Sequence, residues 1–285
     1  MVFFGKIVAA FFAWGTYVVL RLAGWKHKTV LANAKHVASP VNYDELLINL
    51  TRHAGELLFC FGTFKKLPRD FAAYPCRVDG WDFALDEAAI PVLEKMRSGG
   101  IFLTAHYGNY EAMGPWLCRL GIPLVASYIP VKPKWLNNIL ERKIRAVNGL
   151  SYSVDARTPR DFIRILNEGN LFCLLSDQDS RIPSALSGTL LGQPVNVNPL
   201  PDFLLKHRPQ TPVFICWMEE RGASLKDASS KKVRVLHAIE VGGAQSKVVE
   251  KFNKWLEERV RENPNLWYSF THRRFYSRSP EIYGG

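Results

Sequence analysis

Residues 101–116 read IFLTAHYGNYEAMGPW. Ile101 to Ala105 is a short apolar run entered through Gly99-Gly100, the pattern of a buried strand. His106 is the first residue beyond it. Gly108 permits a tight turn, and Asn109 stands where a residue would cap a helix running through Glu111, Met113 and Leu117 to Gly121. Residues five apart on one continuous helix point to different faces, so a turn between His106 and Glu111 is what would let them meet. With Glu111 in the helix's first turn, its carboxylate can accept a hydrogen bond from one imidazole nitrogen while the other takes a proton from a hydroxyl. Neither Ser127 nor Cys118 stands in a nucleophile-elbow context. The pattern therefore points to direct attack by an acceptor hydroxyl. An isolated H-x4-E would read better as a strand end and a helix-dipole contact; the surrounding strand, turn and helix favour chemistry.

Strand and helix alternate outward from this corner. A helix over Asp86 to Ser98 closes at Gly99-Gly100 despite Pro91, a residue that suits a helix only near its first turn. Beyond it the spacing predicts a strand at Ile122 to Tyr128, a helix at Trp135 to Val147 and a strand at Tyr152 to Val154. A helix at Pro159 to Asn167 and a strand at Leu171 to Ser176 follow. Then come a helix at Pro201 to Lys206, strands at Pro212 to Met218 and Val233 to Ile239, and between them a polar excursion from Glu219 to Lys232. Val248, Phe252, Trp255, Leu256 and Val260 form one side of a last helix, Lys247 to Glu262, stopped by Asn263-Pro264. The fold class this predicts is α/β, a mostly parallel central sheet flanked by helices, with ligands gathering at the carboxyl ends of the strands where His106 lies. Asp177 and Asp179 end a strand in a D-x-D pair that suits a divalent ion, but no further ligand cluster accompanies them, so no metal is expected.

The chain has 285 residues, 47% of them hydrophobic, enough for a substantial core. Its net charge of +11 points to anionic partners: nucleic acid, an anionic membrane or an acidic protein. Dispersed basic residues without a binding motif argue against nucleic acid. The five cysteines are odd in number, with no C-x2-C pair, which favours a reducing compartment. Ile7 to Leu20 carries no charge, and its about 14 residues span about 21 Å as a helix. That is short of the roughly 30 Å hydrocarbon core, so an interfacial anchor or a marginal span is expected. A secretory signal is disfavoured because Arg21, Lys26, His27 and Lys28 would have to cross the membrane. The resulting division is an N-terminal hydrophobic anchor helix at 1–25, a helical lead-in at 26–80 and a catalytic domain at 81–285.

HYGNYE resembles the H-x4-D/E signature, often H-F-G-N-W-E, of the bacterial lipid A biosynthesis (late) acyltransferases within the lysophospholipid acyltransferase superfamily. The likeness continues along the chain. Tyr128-Ile129-Pro130 with Arg142 and Arg145 resembles a Y-R-P segment and its arginine-bearing helix, with Ile129 in place of arginine. Leu174 to Asp179 resembles P-D-Q-D, and GTLLGQPVNVNP (188–199) resembles a segment beside the acyl site, with Val197 where threonine is usual. Asn263 to Phe275 resembles the closing N-P-E-x-W-x-W-x-H-R-R block, with Asn265 replacing glutamate.

The resemblance implies a membrane-associated acyltransferase that uses no cofactor. It would move a fatty acyl chain from a thioester on acyl carrier protein to a hydroxyl of a lipid A precursor or related anionic glycolipid, at the cytoplasmic face of the bacterial inner membrane. The alternative within the family is acyl-CoA as donor and a phosphatidylinositol mannoside or amino-acid lipid as acceptor. His106 would be the general base and Glu111 would fix its tautomer. The amides of Gly108 and Asn109 would hold the thioester oxyanion. Arg145 aligns with a functional arginine and is either an anion contact or one charge on a solvated helix face. Asp177 would position Arg145 or the acceptor. Arg273, with His272 and Arg274, is either a phosphate contact or part of a solvated basic tail.

Overall fold

The computed structural model describes residues 2–59, 67–78, 81–127, 132–139, 141–142, 145–147, 150–151, 153–154, 158–221, 233–242 and 247–284. Three helices lead the chain: α1 (Val2–Leu22), α2 (His27–His36) and α3 (Tyr43–Phe59). Asn42 caps α3 through its side-chain oxygen, which accepts from the Asp44 and Glu45 amides. Strands β1 (Cys76–Val78) and β2 (Trp81–Leu85) form an antiparallel pair. A 3-10 turn capped by Asp86 then leads into α4 (Ile90–Met96), with Pro91 in its first turn as its missing N–H favours.

The alternation expected of the catalytic domain follows. In order come β3 (Gly100–Thr104), α5 (Tyr110–Arg119), β4 (Leu124–Ser127) and α6 (Lys134–Ile139). The short strands β5 (Ala146–Val147), β6 (Leu150–Ser151) and β7 (Ser153–Val154) precede α7 (Pro159–Asn167) and β8 (Leu171–Leu175). A hairpin of β9 (Leu186–Leu190) and β10 (Gln193–Val197) leads to α8 (Leu200–His207), β11 (Val213–Arg221), β12 (Val233–Gly242) and α9 (Val248–Glu262). Short 3-10 turns carry the chain to Tyr283. Thr158 and Asp161 form a reciprocal capping box at the start of α7, at the boundary its sequence marks.

Among the described residues the main sheet has eight strands in the order β1-β2-β12-β11-β3-β8-β4-β7. Only β1–β2 and β11–β12 are antiparallel pairs; the rest of the ladder is parallel. Central β3 is buried at every position, as a parallel strand covered on both faces must be. Ile101 and Leu103 face a core built with Phe252, Trp255 and Leu256 of α9, while Phe102 faces Met113, Trp116 and Leu117 of α5.

One expected helix is corrected. The stretch Trp135 to Val147 is not one helix: α6 ends at Ile139, and Ala146–Val147 pairs antiparallel with Leu150–Ser151. Pairing overrides a helical propensity that is only a weak prior. β11 also runs through Arg221, past the start of the expected polar excursion, whose residues 222–232 lie outside the described ones. Tyr128, Ile129, Pro130, Lys143, Gly149 and Cys60 lie outside them as well.

Helix α1 is long and apolar enough to cross a membrane, yet it lies against α3. Ala9 and Ala13 are buried in that contact, and a Cβ on Gly55 would meet the Ala9 carbonyl oxygen at 2.6 Å. Lys6 sits 4.5 Å over the Trp81 ring of β2, and Arg21 pairs with Asp44. The opposite face leaves Phe4, Phe11, Trp14, Val19 and Leu22 exposed. Gly55→Val is expected to destabilise the fold by about 1–3 kcal/mol, because helix backbones in contact cannot part for a side chain without losing packing. Gly15→Ala, in the same contact-bearing α1 but with open space around it, is expected to hold or raise the thermal midpoint. Melting curves of the two variants check the pair.

Candidate active site

Strands β3 and β8 run side by side in parallel, with Thr104 opposite Leu175. Two residues further along each strand, His106 and Asp177 leave the sheet together. His106 Nδ1 donates to Asp177 Oδ1 at 2.8 Å, and the His106 backbone N–H donates to Oδ2 at 3.0 Å. Oδ2 also accepts from Trp267 Nε1 at 2.9 Å and from Ser269 Oγ at 2.6 Å. Asp177 is 0% exposed. An ionised carboxylate can only accept, so Nδ1 holds the proton and Nε2 of the neutral ring presents its lone pair. Gln178 Nε2 lies 3.5 Å from that nitrogen, at the limit of a hydrogen bond. Tyr110 packs its ring edge-on against the imidazole, with centroids 4.9 Å apart.

Charge follows this geometry. Burial disfavours the imidazolium of His106, but the Asp177 charge, the Asp177 hydrogen bond and the Glu111 charge outweigh it and raise its pKa above 6.5. Burial likewise works against ionised Asp177. The charge and hydrogen bond of His106, with the bonds from Ser269 and Trp267, hold that carboxyl well below the usual range. The thiol of nearby Cys118 is pushed by burial up to about 12, which removes it as a nucleophile.

The turn that carries His106 is sewn to the C-terminal segment. The His106 carbonyl accepts from the Tyr268 N–H at 2.8 Å, Tyr107 forms an antiparallel bridge with Trp267, and the Gly108 N–H donates to the Leu266 carbonyl at 2.9 Å. Gly108 has φ +58, the left-handed region that glycine enters without strain. Its amide is therefore committed and makes no oxyanion contact, contrary to the sequence expectation. Asn109 does occupy the cap position of α5, but its side chain makes no cap bond and points Nδ2 toward Glu56 Oε2 at 3.4 Å. The first N–H groups of a helix have no intrahelical acceptor, and the missing side-chain cap leaves the Tyr110 and Glu111 amides in that state.

The structure corrects the partner of the histidine. Glu111 lies in the first turn of α5, as its sequence implies, but its Oε1 accepts from Arg145 at 2.9 Å and makes no hydrogen bond to His106. Asp177, expected to position Arg145 or the acceptor, instead orients the imidazole. Arg145 precedes β5 rather than riding a helix, and also reaches Glu141 at 3.5 Å. Arg273 is exposed, its guanidinium 5.5 Å and 5.7 Å from the Tyr276 and Tyr283 rings. Arg274 is buried and donates to the Asn196 carbonyl at 3.3 Å, so it cannot meet a phosphate at the surface. His272 is the member of that block nearest the site, its ring centroid 6.3 Å from that of His106. Asp179 accepts from Arg181 and Ser277, and no cluster of three metal-ligating side chains occurs among the described residues.

Sequence reasoning missed Trp267, Ser269 and Glu56. The signal for the first two is faint: a tryptophan and a serine two residues apart, ahead of the more conspicuous His272-Arg273-Arg274. A cleft of about 520 Å³ opens between the β9–β10 hairpin and α9. Asp202, Lys247, Glu250, Lys254 and Glu257 line it beside Leu186 and Val197, which is not the aliphatic wall an acyl chain requires.

A family model described as bacterial lipid A biosynthesis acyltransferase matches residues 84–277, a span that holds His106, Glu111, Arg145, Asp177 and Arg273. No curated protein matches the chain. The geometry itself makes one prediction. In an NMR titration the His106 imidazole is expected to lose its proton at a midpoint above 6.5, and Asp177→Asn is expected to move that midpoint down, because both leading upward influences come from the aspartate. A midpoint unmoved by Asp177→Asn would contradict the pairing.

Proposed function

Because the chain belongs to the bacterial lipid A biosynthesis acyltransferase family and is an acyltransferase, we propose that it moves a fatty acyl chain from acyl carrier protein to a hydroxyl of a lipid A precursor or related glycolipid, with His106 as general base. The observation that carries the mechanism is the His106–Asp177 hydrogen bond, which leaves Nε2 unprotonated at the edge of the site. The acceptor O–H gives its proton to Nε2 as its oxygen attacks the thioester carbonyl. The new C–O bond forms, the C–S bond breaks, and the imidazolium returns the proton to the departing thiolate. Asp177 acts as a positioning residue: it fixes the tautomer and stabilises the transient imidazolium. The amides of Asn109, Tyr110 and Glu111 are the donors left to receive the carbonyl oxygen as it gains charge. Arg145, held by Glu111, presents positive charge toward an anionic acceptor, and exposed Arg273 extends that charge along the C-terminal segment.

Membrane association belongs to the same reading. Helix α1 is tied at its start to Trp81 and near its end to Asp44, while its outward face is aliphatic and aromatic. A helix fastened at both ends along one domain suits the bilayer interface, with Phe11 and Trp14 dipping into a cytoplasmic-facing leaflet and the +11 charge drawn to anionic headgroups.

The test is transfer of a labelled acyl chain to lipid A precursors in membranes, with acyl carrier protein and coenzyme A thioesters as competing donors. His106→Ala is expected to abolish transfer, and Asp177→Asn to reduce kcat by about 10³–10⁴, the scale found when an orienting aspartate is neutralised. Since the base must be neutral and its pKa is raised, kcat/KM should climb with pH through a midpoint above 6.5. Transfer that survives intact in folded His106→Ala overturns the mechanism; transfer only from coenzyme A, or only to a different lipid, reassigns the substrates. Phe11→Glu with Trp14→Glu is expected to lower sedimentation with anionic vesicles about ten-fold or more.

A further inference from the structure

We infer that Glu56 is a positioning residue for the acyl transfer proposed above: it draws the Asn109 side chain away from the first turn of α5 and so keeps the Glu111 amide open to the thioester oxygen. The inference rests on that reading of the site, but its observations are separate. Asparagine at a helix start ordinarily accepts from the amide two or three residues on, and in doing so closes the helix N-terminus. Asn109 occupies that place without making the bond, and its ψ of 57 departs from the extended backbone of a capping residue. Its Nδ2 faces Glu56 Oε2 at 3.4 Å instead. Both residues are buried.

Glu56 is held where it can do this. The same Oε2 accepts from Arg234 at 2.7 Å, and Arg52 lies 3.7 Å from Oε1. The Arg234 guanidinium rests 3.5 Å from the centroid of the Trp81 ring, which fixes the partner that fixes the glutamate. Two guanidinium groups thus fix the carboxylate in place, and its Oε2 gives the Asn109 Nδ2 an acceptor away from the helix start. If Glu56 served only to neutralise Arg234, the direction of the Asn109 side chain would be immaterial to turnover. The two roles therefore separate at Asn109.

The experiment uses the full chain in anionic vesicles with a labelled acyl thioester. Glu56→Ala is expected to lower kcat about 30-fold or more with KM nearly unchanged, as loss of an oxyanion donor does. Adding Asn109→Ala to that variant removes the freed capping group and is expected to restore at least about ten-fold of the loss. Because Glu56→Ala leaves a buried arginine short of its partner and can fail to fold, a second pair stands alone. Asn109→Ser, whose short hydroxyl caps α5 whatever Glu56 does, is expected to turn over about ten-fold more slowly than Asn109→Ala while melting at the same or a higher temperature. Equal rates for Asn109→Ser and Asn109→Ala, or a folded double variant as slow as Glu56→Ala, overturn the inference. If the wild-type protein transfers acyl chains and His106→Ala does not, that failure is confined to Glu56; if the wild-type protein transfers none, the reading of the site falls and takes this inference with it.

Discussion

The site depends on a carboxylate with no exposed surface. Asp177 gathers donors from the turn after β3 and from Trp267 and Ser269, about 90 residues later in sequence. Moving an ion of this size out of water costs several kcal/mol even after relaxation, so the charge is tolerable only when all these donors are in place. Closure of the C-terminal segment over the strand ends is thus a condition for the histidine to be aimed at all. Linkage adds a second constraint. The depressed pKa of Asp177 contributes stability above its unfolded value near pH 3.9, lost as pH falls, whereas the raised pKa of His106 contributes stability below about pH 6.5, lost as pH rises. The ionic pair is at full strength between those limits. The neutral imidazole that can act as a base lies above them, held by the hydrogen bond without the full ion pair.

Much of the scaffold was legible because its signals are local. Gly99-Gly100 before the apolar run and the stop at Asn263-Pro264 each mark a boundary with a backbone reason, and β3 and α9 lie where those marks put them. The helix over Trp135 to Val147 failed because its second half is decided by pairing of Ala146–Val147 with Leu150–Ser151, which local propensity does not register. The partner of His106 failed for a related reason. Sequence places Glu111 five residues away and Asp177 seventy-one away, but once β8 lies beside β3 with Leu175 opposite Thr104, Asp177 falls next to His106 by register alone. Strand order was the missing piece, since alternation predicts a parallel sheet without naming the neighbours.

The lead-in helices are part of the same construction. Asn33 of α2 donates to the carbonyls of Phe270 and His272, His53 of α3 bonds the Tyr268 hydroxyl, and Asn265 accepts from the Asn42 amide at the start of α3. Asn265, a departure from the family pattern, thereby ties the closing segment to the helices that carry α1. The segment that completes the Asp177 cage is braced from behind by the elements that face the membrane in our reading. A lead-in pulled out of place would loosen Trp267 and Ser269 before it reached His106.

Glu111 then needs a role other than a bond to the imidazole. Two carboxylates stand near one ring, but they act through different distance laws: Asp177 through a short directional hydrogen bond, Glu111 through a Coulomb attraction that fades slowly with separation. Only the first can select a tautomer. The second favours the imidazolium whichever way the ring is turned, and its oxygen remains free to hold Arg145 at 2.9 Å. Five residues between the histidine and the glutamate, with a turn in the middle, are what send the two side chains to these separate tasks. The spacing that reads as a dyad in sequence leaves one glutamate between the base, on which its charge acts, and the Arg145 guanidinium that it holds.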